Sequence, residues 1–347
     1  MIEINLSEEH IEKLKEFLNS QSFNDKIEKS ELWKHESHLA NVEFKKNGKI
    51  ILKGSGGLYF RKINPIKKFV SEIKSKIYNY RNSLPIFPSY KNAFNQVMQC
   101  TKSRGELEYN FNLNCEHEIF KNYSLIKKNN PFTNFNFDYF ETKHYYLFNI
   151  LRSKINFDKI NTILEIGGGS GHFPILIKNH HSNIKNYISV DLPEILIFNV
   201  IFMMHFFPNS KFCLPNQFEN INDINIKNFD FVFLTPKQIN LLSDNIVDLS
   251  INTSSFAEMN KKDILEYFDL VQKVTRKDGY FFNHNRVHKL PEPHSDDGGK
   301  IRGKLEANIF GDYPFVRENK LLIYDICRLS QYLKIDPMMV RLEKIIK

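Results

Sequence analysis

The chain has 347 residues, enough at roughly 150 residues per domain for two domains with cores of their own. Hydrophobic residues at 41% and charged residues at 25% exclude a disordered or collagen-like chain. The formal charge of +8 is spread thinly and points to an anionic ligand; with alanine confined to Ala40, Ala93, Ala257 and Ala307, part of it reflects AT-rich codon usage.

Met1 to Ser20 alternates charged and apolar residues and holds no run like a signal peptide, so a cytoplasmic protein is expected. Ile11, Leu14, Phe17 and Leu18 recur at helical spacing, and 42–53 reads as a hairpin turning at Asn47-Gly48. After Pro65, the apolar stripe Ile66, Phe69, Val70, Ile73, Ile77 and Tyr80 predicts a long helix whose lysines face solvent. Asn-rich, aromatic sequence over 109–140 reads as loops and short helices, followed by a helix around 141–154. Cys100, Cys115, Cys213 and Cys327 have no metal-cage spacing and read as reduced, buried thiols. The most apolar stretch, Ile195 to Phe207, falls short of the ~18 residues of a membrane span and predicts a buried helix.

From Asn161 the pattern becomes strand, turn, helix, strand, which is how a parallel sheet with crossover helices reads. Thr162 to Ile166 forms a strand that runs into Gly167-Gly168-Gly169-Ser170-Gly171 and then a helix over 172–178. Such a turn lets a nucleotide approach backbone N–H groups without Cβ obstruction, although a tight structural turn would use glycines too. A dinucleotide fingerprint would place its third glycine at His172, and it lacks the acidic residue that stands here as Glu165. The second strand, 186–190, ends in Asp191, a residue able to accept both ribose hydroxyls or to cap the following helix. Further strands are expected at 211–214, 229–236, 247–251 and 279–283, with a helix over 255–274.

Glu165-x-Gly167-x-Gly169-x-Gly171 followed by Val190-Asp191-Leu192-Pro193 resembles class I S-adenosylmethionine-dependent methyltransferases. The runs 251–259 (INTSSFAEM) and 281–286 (FFNHNR) resemble bacterial sugar O-methyltransferases of capsule and O-antigen synthesis. The resemblance implies an α/β fold, a Rossmann-like seven-stranded, mostly parallel sheet with helices on both faces and a final antiparallel hairpin. It divides the chain into a mainly helical region, 1–140, serving as substrate cover or in oligomerisation, and a methyltransferase domain, 141–347. The activity implied is methyl transfer from S-adenosyl-L-methionine to a hydroxyl of a nucleotide-activated hexose or heptose. Carried over by position, Glu165, Gly167, Gly168, Gly169, Asp191 and Leu192 hold the cofactor. The adenine pocket is open between Asn216, Gln217, Thr235 and Gln238, because 229–236 is a strand beyond the common layout.

Two residues compete to take the acceptor's proton. Glu258 follows the fourth strand, but Ser255-x-x-Glu258 is also a capping box; His284, in the polar cluster ending the fifth strand, has the better claim. Asn283, Asn285, Arg286, Lys289 and Arg302, with Lys300 and Lys304, are expected to bind substrate, the cations by clamping phosphate. His288, His294, Asp296 and Asp297 could hold a divalent metal, but Asp-Asp-Gly-Gly is ordinary turn chemistry and no metal is predicted. A nucleic-acid methyltransferase is disfavoured by the absence of any Pro-Pro, and a nonenzymatic cofactor-binding subunit by the intact glycines and Asp191.

Overall fold

The structure is a computed structural model that describes residues 2–24, 27, 29, 41–45, 48–53, 139–218, 225–289, 307–327, 330 and 336–347. The helix expected over 66–80, the loops over 109–138, Cys100 and Cys115, and the segment 290–306 lie outside the described residues. Contacts divide the chain into two compact units, one of Met1–Ile2 and Tyr59–Ile155, the other of Glu3–Leu58 and Asn156–Lys347. In the first, the described element is helix α3 (Tyr139–Lys154), closed by Ile155 N–H donating to the Leu151 carbonyl.

From Glu3 of β1 (Ile2–Asn5), the second unit runs through α1 (Glu8–Asn19), the single turn α2 (Gln21–Asn24), β2 (Asn41–Phe44) and β3 (Lys49–Lys53). The Ser7 hydroxyl caps α1 by accepting from His10 N–H at 3.2 Å, satisfying one of the donors a helix start leaves orphaned. β2 and β3 pair antiparallel as the expected hairpin, and Gly48 takes φ +72°. A three-stranded sheet in the order β1-β3-β2 results. His10 of α1 meets Phe212 edge to face at 5.4 Å, so this N-terminal part packs on the larger sheet.

That sheet comprises β4 (Thr162–Ile166), β5 (Asn186–Val190), β6 (Phe212–Cys213), β7 (Phe231–Leu234), β8 (Val247–Thr253), β9 (Thr275–Arg286), β12 (Lys320–Ile326) and β13 (Met338–Lys344). Their order is β12-β13-β9-β8-β4-β5-β7-β6. β6, β7, β5, β4, β8 and β9 run parallel, and β12 and β13 form the antiparallel hairpin. This is a Rossmann-like, mostly parallel arrangement of eight strands, the seven expected and the further strand read at 229–236. The addition lies at one edge: β7 takes the place beside β5, and the strand expected at 211–214 shrinks to the two-residue edge strand β6. A short ribbon, β10 (His288–Lys289) with β11 (Asn308–Ile309), stands apart.

Helices α4 (His172–His180), α5 (Pro193–Phe206) and α6 (Lys261–Val274) connect the strands. Cross-strand pairing puts Leu164, Ile188, Val232 and Phe281 on one face, and Glu165, Ser189, Ile251 and Phe282 on the other. α6 covers the first face, with Phe268 edge to face on Phe281 at 5.4 Å. α5 covers the second, its Asn199 Nδ2 donating to Ser189 Oγ at 2.9 Å. As its composition predicts, α5 is buried from Ile195 to Met204. Burying each Leu, Ile or Phe of such a core contributes roughly 1.5–3 kcal/mol.

Two elements differ from expectation by more than two residues at a boundary. The helix expected from 255 starts only at Lys261, after a 3-10 turn over Phe256–Glu258, because the Ser255 hydroxyl turns to the Ile166 carbonyl instead of capping. The strand expected at 279–283 extends over 275–286, since β13 pairs with residues 280–286 along its outer side.

Candidate active site

The strand order reverses at β4: the chain steps outward to β5 on one side, and β8 with β9 lies on the other. Open α/β sheets hold ligands at such a switch, outside the carboxyl ends of the strands. The glycine loop leaves β4 at this place. Gly167 N–H donates to the Val190 carbonyl at 2.8 Å, and Gly167 and Gly169 take φ of +72° and +55°. A Cβ on Gly167 would collide with Ser255, whereas one on Gly169 would meet nothing within 4 Å among the described residues. Gly167 is therefore required by protein packing. Gly169 has no such neighbour among the described residues, which leaves a ligand room to reach the backbone.

Asp191 ends β5 and grips this loop. Its Oδ2 accepts from Gly169 N–H at 2.9 Å and its Oδ1 from Leu192 N–H at 2.8 Å. It does not cap α5, whose N-cap is Leu192, so the competing helix-cap role is absent. Burial pushes its carboxyl up to about 6; the two backbone donors pull it down, and Glu194 and Glu258 add repulsion. Each oxygen keeps a second lone pair for a hydroxyl. Glu165 sits deeper. One of its oxygens lies 2.9 Å from where a Cβ on Gly168 would stand, and it accepts from the Tyr187 hydroxyl at 3.0 Å. Burial, then Glu165, raises the Tyr187 phenol well above its usual range, so it remains the donor.

On the other side of the switch, three buried asparagines build the rim. Asn252 Nδ2 donates to the Ile166 carbonyl at 2.9 Å and to Ser255 Oγ. Asn285 Nδ2 donates to Asn252 Oδ1 and to Asn283 Oδ1, both at 2.7 Å, and its Oδ1 accepts from Ala257 N–H at 3.2 Å. The turn so held carries Glu258, whose carboxylate meets Lys289 Nζ at 3.5 Å. Lys289 is 8% exposed and Glu258 22%. Sequence reasoning missed Asn252 and Ser255 as architecture, and missed Asn308 altogether, because these contacts join segments far apart in the chain.

His284 pairs with Thr253 and Val340 and shares its face with Phe282 and Glu165, whereas Asn283 and Asn285 point to the opposite face. It is 0% exposed. Arg286 pairs with Asp336 at 3.3 Å. Among the adenine candidates, Thr235 adjoins Asp191, whose N–H donates to the Leu234 carbonyl at 3.3 Å. Thr235 N–H donates to Gln238 Oε1 at 3.0 Å, and Gln238 Nε2 donates to the Pro215 carbonyl at 2.8 Å and to Ser22 Oγ at 3.2 Å. Asn216 and Gln217 follow the edge strand; Gln217 Oε1 accepts from Leu214 N–H at 2.8 Å, while Asn216 Oδ1 is buried without a partner among the described residues.

Arg302, Lys300, Lys304, His294, Asp296 and Asp297 lie outside the described residues. Among the described residues no group of three or more His, Cys, Asp or Glu could hold a metal, and no helix is long and apolar enough to cross a membrane. Cys213 and Cys327 are both buried.

No family model matches the chain, and no curated protein matches it. Among solved structures, an S-adenosylmethionine-dependent methyltransferase from Mesorhizobium loti is similar at 10% identity and a TM-score of 0.39, over 58% of this chain and 98% of that one. A candidate sarcosine dimethylglycine methyltransferase from Galdieria sulphuraria is similar at 11% identity and a TM-score of 0.40, over 58% and 84%.

Proposed function

We propose that this protein is an S-adenosylmethionine-dependent O-methyltransferase whose acceptor is a sugar hydroxyl, carried on a nucleoside diphosphate. The observation that carries the cofactor is Asp191: a carboxylate at the end of the strand beside the switch, joined to the glycine loop through Gly169 N–H. The room left at Gly169 among the described residues fits a ligand lying along the loop. Asp191 accepts the ribose hydroxyls, Leu192 and Thr235 border the nucleoside, and Gly167 and Gly168 keep the loop close-packed beneath it. When bound, S-adenosylmethionine supplies a methyl group on a positively charged sulfur.

An alcohol becomes a competent nucleophile when a positioned base takes its proton as the new bond forms. Glu258 is supported for that task because its turn is fixed on the rim and its charge reaches Asp191. His284 is the second candidate, at the end of β9 but wholly buried. The sugar reading draws on the runs 251–259 and 281–286, and the phosphate reading on Arg286 and Lys289 followed by the basic run Lys300, Arg302, Lys304. Mass spectrometry of nucleotide-activated hexoses and heptoses incubated with protein and S-adenosylmethionine tests both. A gain of one methylene on a nucleotide-linked sugar supports the reading, and equally efficient methylation of neutral free sugars removes the phosphate clamp.

A further inference from the structure

Asn308 lies on the short ribbon, directly across from Lys289. It is 3% exposed, and its side-chain amide nitrogen donates to the carbonyls of Ala257 at 3.2 Å and Met259 at 2.8 Å, the two residues that flank Glu258. Both of its amide hydrogens are thus spent on one turn. Ala257 is held from its other side by Asn285 Oδ1, Asn285 by Asn252 Oδ1, and Asn252 by the Ile166 carbonyl, one residue before the glycine loop. Asn252 itself uses every hydrogen-bonding position of its amide: Nδ2 on Ile166 and Ser255, Oδ1 on Asn285 and on Phe256 N–H at 3.4 Å. Neither amide can turn over without leaving buried donors and acceptors unmatched, so the chain of contacts has one arrangement.

We propose that Asn308 is a positioning residue for the nucleoside site: through Ala257, Asn285 and Asn252 it fixes the Ile166 carbonyl and with it the start of the Gly167–Gly171 loop. The turn that carries Glu258 and the loop that meets the nucleoside are by this bridge one rigid piece. The ribbon then has two functions on one carboxylate, since Lys289 faces Glu258 while its cross-strand partner holds the backbone on either side of it. Loosening the ribbon end of the bridge weakens the hold on a ligand at Asp191, although Asn308 donates only to Ala257 and Met259. This inference rests on the proposed nucleoside-sulfonium reading of the loop.

The test is calorimetric titration of the full-length protein with S-adenosylhomocysteine, at a temperature well below each protein's melting point. Asn308→Asp keeps the side chain's shape and removes both donors; its affinity is expected to fall on the order of tenfold, the scale of coupling through contiguous contacts. Unchanged affinity with a lowered melting temperature marks a merely structural role and overturns the proposal. If Asn308→Asp does not fold, Asn308→Ser is titrated instead, with the same two readings. Failure of the unaltered protein to bind S-adenosylhomocysteine is a separate outcome: it removes the nucleoside reading, and the proposal falls with it.

Discussion

An ideal Cβ on Gly167 would stand 2.2 Å from the Ser255 hydroxyl oxygen and 2.4 Å from the Ser255 Cβ. The loop and the rim are thus in contact at closer range than any other residue at position 167 permits. Gly167→Ala is expected to destabilise the protein by about 2–4 kcal/mol, combining the cost of a left-handed conformation with overpacking. Ser255→Gly removes only the second part. Urea denaturation of both single variants and the double variant should give a sum of single effects larger than the double effect. Strict additivity would show that the two residues do not touch.

Asp191→Ala removes an acceptor for both Gly169 N–H and Leu192 N–H, and for the ribose hydroxyls of the proposed ligand. Affinity for S-adenosylhomocysteine should fall by about 1–3 kcal/mol, the usual cost of leaving such groups unpaired. Calorimetry that finds the affinity unchanged would remove Asp191 from the site.

Acid should weaken the same binding. The Asp191 carboxyl is pushed up to about 6 in the free protein, first by burial, against an ordinary value of 3.8. A raised carboxyl means that the free protein keeps this group's full stability contribution below 3.8 and loses it as pH rises through about 6. Ligand hydroxyls favour the ionised form, so affinity should be full above about 6 and decline below it, by at most about tenfold per pH unit. Asp191→Asn should flatten that decline. An acid limb that survives in Asp191→Asn would assign the titration to another group.

Much of this was legible because local chemistry and global fold agree at the strands. Thr162–Ile166 and Asn186–Val190 appear at the residues their β-branched, apolar sequence marks. Asp191 stands out because an acidic residue ending the strand after a glycine turn is placed to accept ribose hydroxyls, although before Leu192-Pro193 it also reads as a helix cap. Ser255 misleads for the opposite reason: Ser-x-x-Glu before an apolar run is a helix start in most settings, and only the nearness of Ile166, in a strand 89 residues earlier, turns its hydroxyl elsewhere. The eighth strand was visible in Phe229–Pro236 as a segment but not as a position, since periodicity says nothing about which neighbour a strand takes. Asn308 had no signal at all; one asparagine after a polar loop is ordinary until its amide is seen on two carbonyls 49 and 51 residues away.

The proton's destination separates Glu258 from His284. Glu258 lies on a turn held by Asn285 and Asn308, beside Lys289, and its charge bears on Asp191. A base so held can meet an acceptor hydroxyl without the rim moving, whereas His284, fully buried on the face shared with Glu165, meets one only if what covers it opens. Glu258→Gln keeps the shape and removes the basic oxygen, so it should lower turnover by roughly 10² or more while S-adenosylhomocysteine still binds. His284→Ala leaves a cavity beside its cross-strand partner Thr253 and should lower stability by about 2 kcal/mol or more, with a smaller loss of turnover in the folded fraction. Turnover on whichever nucleotide-linked sugar gains a methyl group, measured beside melting temperature and cofactor affinity, distinguishes the two. A folded, cofactor-binding His284→Ala with turnover reduced a hundredfold, next to a nearly normal Glu258→Gln, would give the proton to His284 and reduce Glu258 to a partner of Lys289.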